Sequence, residues 1–309
     1  MALAFVCPGQ GAQNIGMGKE FADQFNVSKQ VFEEVDDALG EPLSRLIWEG
    51  ELEALTLTEN TQPALMATSL AAARAMESEG YGVELAHYVA GHSLGEYSAL
   101  AIAGAFSVGD AAKLLRTRGK AMQAAVPVGE GAMAALIGLD FKTATNIAKE
   151  AAGNEVCEAA NDNDPTQVVI SGNKLAVNRA VALAKVNGAK RAVLLPVSAP
   201  FHCSLMSPAV GAMRDALYEV AIHTPKVPVV SNVLAKPSSN PDEIRKLLIA
   251  QITGSVRWRE SVLWMASNGV SEIWEIGAGK ALNAMIKRIN RDMICKNIAS
   301  PKDIIELSQ

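Results

Sequence analysis

Apolar residues fall into two patterns along this chain: short runs bounded by Gly or Pro, and longer stretches where they recur every three or four positions. The first short run, residues 3–7, reads as a buried strand stopped by Pro8-Gly9-Gln10-Gly11. Residues 17–48 carry the helical period with acidic residues on the outer side. Thr61-Gln62-Pro63-Ala64 starts a further helix that runs to Gly80, with Pro63 in its first turn. The strand-like His87-Tyr88-Val89-Ala90 then leads into Gly91-His92-Ser93-Leu94-Gly95, and helix formers continue to Ala103. A helix at about 109–125 follows and carries Arg116, Arg118 and Lys120.

The pattern changes after Val126-Pro127. Strands are expected at 132–139, 155–161, 167–171 and 191–197, with helices at 142–152 and 174–187. Asn161-Asp162-Asn163-Asp164-Pro165 is a dense turn signal that should end the second of these strands. The order β-α-β-β-α-β is that of a ferredoxin-like unit, placed at 128–197. Beyond it, helices are expected at 204–221, 242–252, 258–268 and 280–290. Strands are expected at 227–231, 273–276 and 294–298, with a loop at 237–241. Strands alternating with helices imply a mostly parallel sheet covered on both faces. The expected class is therefore α/β: a discontinuous domain, 1–127 and 198–309, with a ferredoxin-like α+β subdomain inserted at 128–197.

Composition narrows the function. The 309 residues are 49% hydrophobic and 20% charged, ordinary for a globular protein. A net charge of −5 argues against a nucleic-acid binder, which needs a basic face. Cys7, Cys157, Cys203 and Cys295 form no Cys-x-x-Cys pair, which points to free thiols in a reducing compartment and to no zinc site. No basic n-region precedes the first apolar run, and no run approaches a membrane span. The expectation is a cytoplasmic protein without a membrane segment. Gly9 and Gly11 lack a third glycine at position 14, which is Asn14, so they form no dinucleotide fingerprint.

The chemistry centres on Ser93. Gly-x-Ser-x-Gly between a strand and a helix is the nucleophile elbow, a turn so tight that only glycine fits on either side of it. The following helix aims its free N–H groups where an oxyanion would form. A serine needs a base, and only His87, His92, His202 and His223 are available. His92 adjoins Ser93 and should point away from it; His87 and His223 read as structural or exposed. His202, in the loop Ser198-Ala199-Pro200-Phe201-His202-Cys203, is the best of the four. No aspartate among Asp110, Asp140, Asp162 and Asp164 stands out as a third triad member, and a carbonyl oxygen could orient the imidazole instead. On position alone Arg118 reads as a solvated helix charge.

Pro8-Gly9-Gln10-Gly11, Thr61-Gln62-Pro63-Ala64, Gly91-His92-Ser93-Leu94-Gly95-Glu96-Tyr97, Arg118-Gly119, Phe201-His202 and Gln251 together resemble the malonyl-CoA:acyl carrier protein transacylases, in order and approximate spacing. The resemblance covers nearly the whole chain. It implies an α/β-hydrolase-like domain interrupted by a ferredoxin-like one. It also implies Ser93 as nucleophile, His202 as base, and the Gln251 main-chain carbonyl in place of a triad aspartate. The N–H groups of Gln10 and Leu94 would form the oxyanion hole, Arg118 would hold the malonyl carboxylate, and Gln62 and Phe201 would line the substrate site.

The implied activity is ping-pong transfer of malonyl from malonyl-CoA to the phosphopantetheine thiol of acyl carrier protein, with no metal or other cofactor. In the related polyketide synthase domains, a branched apolar residue after the serine and Phe before the histidine accompany malonyl over methylmalonyl; here these are Leu94 and Phe201. Carrier proteins are typically acidic, so Lys280, Lys287 and Arg291, one stripe of the 280–290 helix, are candidate docking residues with Lys190 and Arg191. A monomer is expected. An esterase or thioesterase, and a non-catalytic carrier-binding relative, remain as alternatives.

Overall fold

The computed structural model describes residues 2–307. Its ten strands, in chain order among the described residues, are β1 (Ala2–Cys7), β2 (Tyr88–Gly91), β3 (Gly131–Ile137), β4 (Cys157–Asp164), β5 (Gln167–Asn173), β6 (Arg191–Leu194), β7 (Val229–Val230), β8 (Pro237–Ser238), β9 (Val270–Ile276) and β10 (Ile294–Ile298). Six of them form one sheet in the order β10-β9-β1-β2-β7-β8, parallel except for the β7–β8 pair.

Both faces of this sheet are covered, which explains why β1 is an unbroken apolar run. Ala4 and Val6 pack with Trp258, Val262 and Ile286, while Phe5 and Cys7 pack on the other side with Leu65 and Met66, the two-residue period of a strand. Phe5 stacks on Trp274 at 5.4 Å between ring centroids. The fold is α/β with a mostly parallel sheet.

The other four strands form an antiparallel sheet in the order β4-β5-β3-β6, the ferredoxin-like arrangement. Ala134, Leu136, Val168 and Ile170 face its two helices, Phe141–Ala152 and Lys174–Val186. Met133, Ala135 and Val169 face the other way, into the main core with Ala199 and Phe201. The small sheet is thus sandwiched between its own helices and the larger layer.

Several elements depart from the sequence pattern. β4 continues through most of the expected turn, to Asp164, with register irregularities at 159–161 and 162–164, and tertiary partners hold it there. Asp162 N–H donates to the Val256 carbonyl at 2.9 Å, and the Asp162 and Asp164 carboxylates, both fully buried, receive Arg259 and Arg288. The turn shrinks to Pro165-Thr166, where Asp164 accepts from Thr166 N–H at 2.9 Å. The helix expected from Thr61 starts at Thr58, so Pro63 lies inside it, past its first turn. Thr58 is buried there, its hydroxyl bound to the Gln10 side chain.

The stretch 17–48 divides into three helices, Lys19–Gln24, Asn26–Leu39 and Leu43–Glu49. At 227–231 only Val229–Val230 is strand, and the loop at 237–241 gives one pairing strand, β8, before a helix starts at Pro241. No helix among the described residues is long and apolar enough to cross a membrane. The four cysteines are free, three of them buried.

Candidate active site

β2 lies in the middle of the large sheet and ends on Gly91; the helix Gly95–Ile102 begins four residues later. Reversing the chain in so few residues puts Ser93 at φ 55°, in the left-handed region, at a cost of about 1–3 kcal/mol. Both flanking glycines are compulsory. A Cβ on Gly91 would fall 1.9 Å from the Gly95 carbonyl, and one on Gly95 would fall 2.3 Å from the Cys7 carbonyl oxygen. Asn232, in the turn after β7, braces the elbow on both sides. Its Oδ1 accepts from Ser93 N–H at 2.7 Å, and its Nδ2 donates to the Gly91 carbonyl at 2.6 Å. With the Ser93 N–H so engaged, the N–H groups of Leu94 and Gln10 are the nearby main-chain donors; neither has a protein acceptor among the described residues.

Ser93 Oγ lies 2.7 Å from His202 Nε2. His202 also has a left-handed backbone, φ 58°, and is buried. Its Nδ1 faces the carbonyls of Gln251 at 3.0 Å and Gly254 at 3.2 Å. Carbonyl oxygens only accept, so Nδ1 carries the proton and Nε2 turns a lone pair toward the serine hydroxyl. Gln251 is the last residue of the helix Pro241–Gln251, whose terminal carbonyls have no intrahelical donor and carry the negative end of the helix dipole. That helix end stands where a hydrolase would place an aspartate.

Burial, reinforced by the Arg118 charge, pushes the His202 imidazole down to about 3, so the ring is neutral and its Nε2 lone pair is unprotonated. The other histidines are elsewhere: His92 Nε2 pairs with Asn163 Oδ1 at 2.9 Å, and His87 and His223 are exposed. Asp110 and Asp140 lie at helix starts, where Ser107 and Thr143 are their partners.

Arg118 is buried, against the solvated reading that its position alone suggests. It sits on the helix Val108–Ala124, where Gly119 lets that helix press against the start of Thr58–Ser78; a Cβ there would come 2.4 Å from Glu59 Cα. Nη1 donates to Gln62 Oε1 at 2.7 Å, and Nη2 donates to Gln251 Oε1 at 2.9 Å and to Ser93 Oγ at 3.1 Å. The Tyr97 ring lies 5.7 Å from the guanidinium carbon. Gln62 Nε2 donates in turn to Thr58 Oγ1 at 2.9 Å, which donates to Gln10 Oε1 at 3.1 Å. One polar chain thus joins Gln251, Arg118 and Gln62 to the Gln10 loop. No carboxylate pairs with Arg118 among the described residues, and its Nε has no partner.

The chain is similar to known proteins in sequence and in fold. Residues 4–288 match the acyl transferase domain family. The malonyl CoA-acyl carrier protein transacylases of Bacillus subtilis and Escherichia coli K12 are 44% and 46% identical, over 98% and 93% of this chain and 95% and 92% of their own lengths. The chain belongs to the malonyl-CoA:acyl carrier protein transacylase family. The crystal structure of an acyl-carrier-protein-S-malonyltransferase from Bartonella henselae superimposes with a TM-score of 0.97 at 54% identity, covering 99% of this chain and 98% of its own. A malonyl-transacylase in complex with a type II PKS acyl-carrier protein matches with a TM-score of 0.95 at 41% identity, covering 99% and 98%.

The remaining expected site residues are more dispersed. Phe201 is buried in the main core directly before His202. Lys190, Arg191, Lys280, Lys287 and Arg291 are all exposed, but 280–291 is not one helical face. The helix spans Ala281–Ile289, its start fixed by Leu282 and Asn283 N–H groups donating to the buried Glu275 carboxylate at 3.0 and 2.7 Å. Lys280 precedes it and Arg291 lies beyond its C-cap. It packs on β4, whereas Lys190 and Arg191 sit by β6, at the opposite edge of the small sheet, about 14 Å away across three strand spacings.

Sequence reasoning missed Glu96, Asn232, Asn163 and Gly254. Only Glu96 had a usable signal: a lone charge in an otherwise uncharged helical stretch from 95 to 102, now seen as a buried carboxylate whose burial pushes it up to about 7.

Proposed function

We propose that the chain transfers a malonyl group from malonyl-CoA to the phosphopantetheine thiol of an acyl carrier protein through an ester on Ser93. The observation that carries this reading is a buried arginine with no direct ion pair among the described residues, 3.1 Å from the hydroxyl that a buried neutral histidine contacts. Ser93 Oγ attacks the thioester carbonyl as His202 Nε2 takes its proton. The oxyanion is held by the Gln10 and Leu94 N–H groups, and its collapse breaks the C–S bond while His202 returns the proton to the CoA sulfur. The carrier thiol then attacks the malonyl-serine ester, with His202 again as base, and Ser93 leaves reprotonated.

Arg118 binds the free carboxylate of the malonyl group; a planar two-pronged donor suits that group as lysine would not. Gln62 holds the guanidinium in place, and Phe201 bounds the space beside the imidazole. The scheme uses no metal or redox cofactor. It fits a cytoplasmic monomer serving fatty acid synthesis, with catalytic segments 1–127 and 198–309 around an inserted unit at 128–197. Docking of the carrier is assigned to Lys190, Arg191, Lys280, Lys287 and Arg291, two basic groups flanking the small sheet.

Intact mass after mixing with malonyl-CoA, then with holo carrier protein, tests this reading. A malonyl adduct should appear on the wild type, be absent from Ser93→Ala, and be discharged by the carrier thiol. His202→Ala should slow both halves about 10²–10⁴-fold. An adduct on Ser93→Ala, or loss of the adduct to water as fast as to the carrier, would refute it.

A further inference from the structure

Among the described residues Glu96 is the one carboxylate buried in this site, and the transfer steps give it no task. Its Oε2 accepts from two donors: Gln251 Nε2 at 2.7 Å and Asn232 main-chain N–H at 3.0 Å. Each donor leads to a reacting group. The same Gln251 Nε2 donates to the Ser93 carbonyl at 3.0 Å, while the Gln251 carbonyl accepts from His202 Nδ1. The Asn232 side chain holds the Ser93 N–H and the Gly91 carbonyl. One oxygen therefore joins the support of the base to the support of the nucleophile.

We propose that Glu96 is a positioning residue: by anchoring the Gln251 amide and the Asn232 main chain, its carboxylate oxygen fixes the approach of His202 Nε2 to Ser93 Oγ. The inference rests on the reading of Ser93 as nucleophile and His202 as base. Its physical basis is placement. Gln251 ends a helix and is followed by the turn that also supplies Gly254, so no further helical turn restrains its carbonyl. Without Glu96 the Gln251 amide loses the shortest of its three acceptors, keeping the Ser93 carbonyl and a longer 3.4 Å contact to Asn232 Oδ1, and the buried Asn232 main-chain N–H is left unpaired. A misplacement of about 1 Å between reacting groups costs on the order of 10²-fold in rate.

Single-turnover acylation by malonyl-CoA, followed by intact mass, separates this role from a structural one. Glu96→Met keeps the length but removes the acceptor; it should slow acylation about 10–100-fold, with half-saturating malonyl-CoA within about two-fold of wild type. Glu96→Gln, whose amide oxygen can take both N–H groups, should restore most of the rate. Gln251→Met keeps the carbonyl that faces His202 but removes the side-chain link; it should show the same rate defect, and combining it with Glu96→Met should add little.

Wild-type acylation by Glu96→Met, a loss confined to half-saturation, or full additivity of the two changes would overturn the proposal. So would Glu96→Gln as slow as Glu96→Met. Should Glu96→Met not fold, the Gln251→Met rate and the Glu96→Gln rate decide. Absence of any adduct on the wild type would count against the transacylase reading itself, whereas these ratios test Glu96 alone.

Discussion

Charge is taken out of water in two neighbouring regions, and the two balance it differently. At the seam between the sheets, Asp162 receives Arg259 through three contacts of 2.8–3.0 Å and Asp164 receives Arg288 at 2.7 Å. Both carboxylates are fully buried, while their arginines keep an exposed flank. At the reacting centre the buried cation is Arg118, and its direct partners are two amide oxygens, a hydroxyl and an aromatic face. The seam is complete in itself and holds the small sheet against the large one. In the site, Glu96 reaches Arg118 only through the Gln251 amide, so no carboxylate touches the guanidinium among the described residues, and in the proposed reaction the malonyl carboxylate takes that place.

The comparison breaks most directly at Arg118. Arg118→Ala removes the guanidinium that touches Ser93, so malonyl transfer should fall about 10²–10³-fold, the loss expected for one partner of a desolvated charge pair. Acetyl transfer should fall far less, because acetyl carries no carboxylate. Equal losses on the two CoA esters would make Arg118 another seam-like structural charge.

The seam should respond in stability instead. Arg259→Ala strands the Asp162 carboxylate in the interior and should cost about 3 kcal/mol or more of unfolding free energy. Asp162→Asn leaves Arg259 free to turn to water and should cost clearly less. Urea unfolding of both variants checks the asymmetry, with acylation per folded molecule expected to stay near wild type. A large acylation defect in folded Arg259→Ala would mean that seam and site are not separable.

Glu96 sharpens the contrast through pH. Its carboxyl is raised from an ordinary 4.5 to about 7, chiefly by burial, with Arg118 and the hydrogen bonds from Asn232 and Gln251 pulling the other way. A raised carboxyl binds more protons folded than unfolded between these values, so it lowers stability as pH rises from about 4.5 to 7. Glu96→Gln lacks that dependence. Its stability relative to wild type should therefore improve across this window, by on the order of 3 kcal/mol at most. A difference that does not change with pH would show that Glu96 is a full counter-charge to Arg118, making the site as balanced as the seam.

What the sequence disclosed, and what it hid, follows the same division. Ser93 was legible because its turn needs glycine at 91 and 95, a steric demand written in five adjacent residues. Arg118, Gln62 and Gln251 were legible only through the family pattern, since a helix charge and two amides have no local signature of burial. Asp162 and Asp164 were misread for the opposite reason. Local chemistry favours a turn at Asn161-Asp162-Asn163-Asp164-Pro165, and the partners that keep it extended, Val256, Arg259 and Arg288, lie about a hundred residues downstream. Asn232 and Gly254 act from loops reached only after folding, and nothing in their own neighbourhoods marks them.

The smallest effect concerns the acyl group's own bulk. Phe201 precedes His202, lies in the main core and is only 8% exposed, so its ring is packed where it stands. If that ring bounds the space next to the imidazole, as proposed, an α-methyl on malonyl has to compete with it. One misplaced methyl is worth about 1–3 kcal/mol, so wild type should prefer malonyl over methylmalonyl by roughly 10- to 200-fold. Phe201→Ser opens that space but also leaves a core cavity, with an overall stability cost of about 3 kcal/mol or more. The measurement must therefore be a ratio: the two CoA esters compete for the same folded enzyme, and mass spectrometry counts malonyl against methylmalonyl on Ser93. A relative gain for methylmalonyl of several-fold, within that ceiling, is expected of Phe201→Ser. If both esters fall together and their ratio stays fixed, Phe201 is a core residue and the discrimination is carried by other walls of the site.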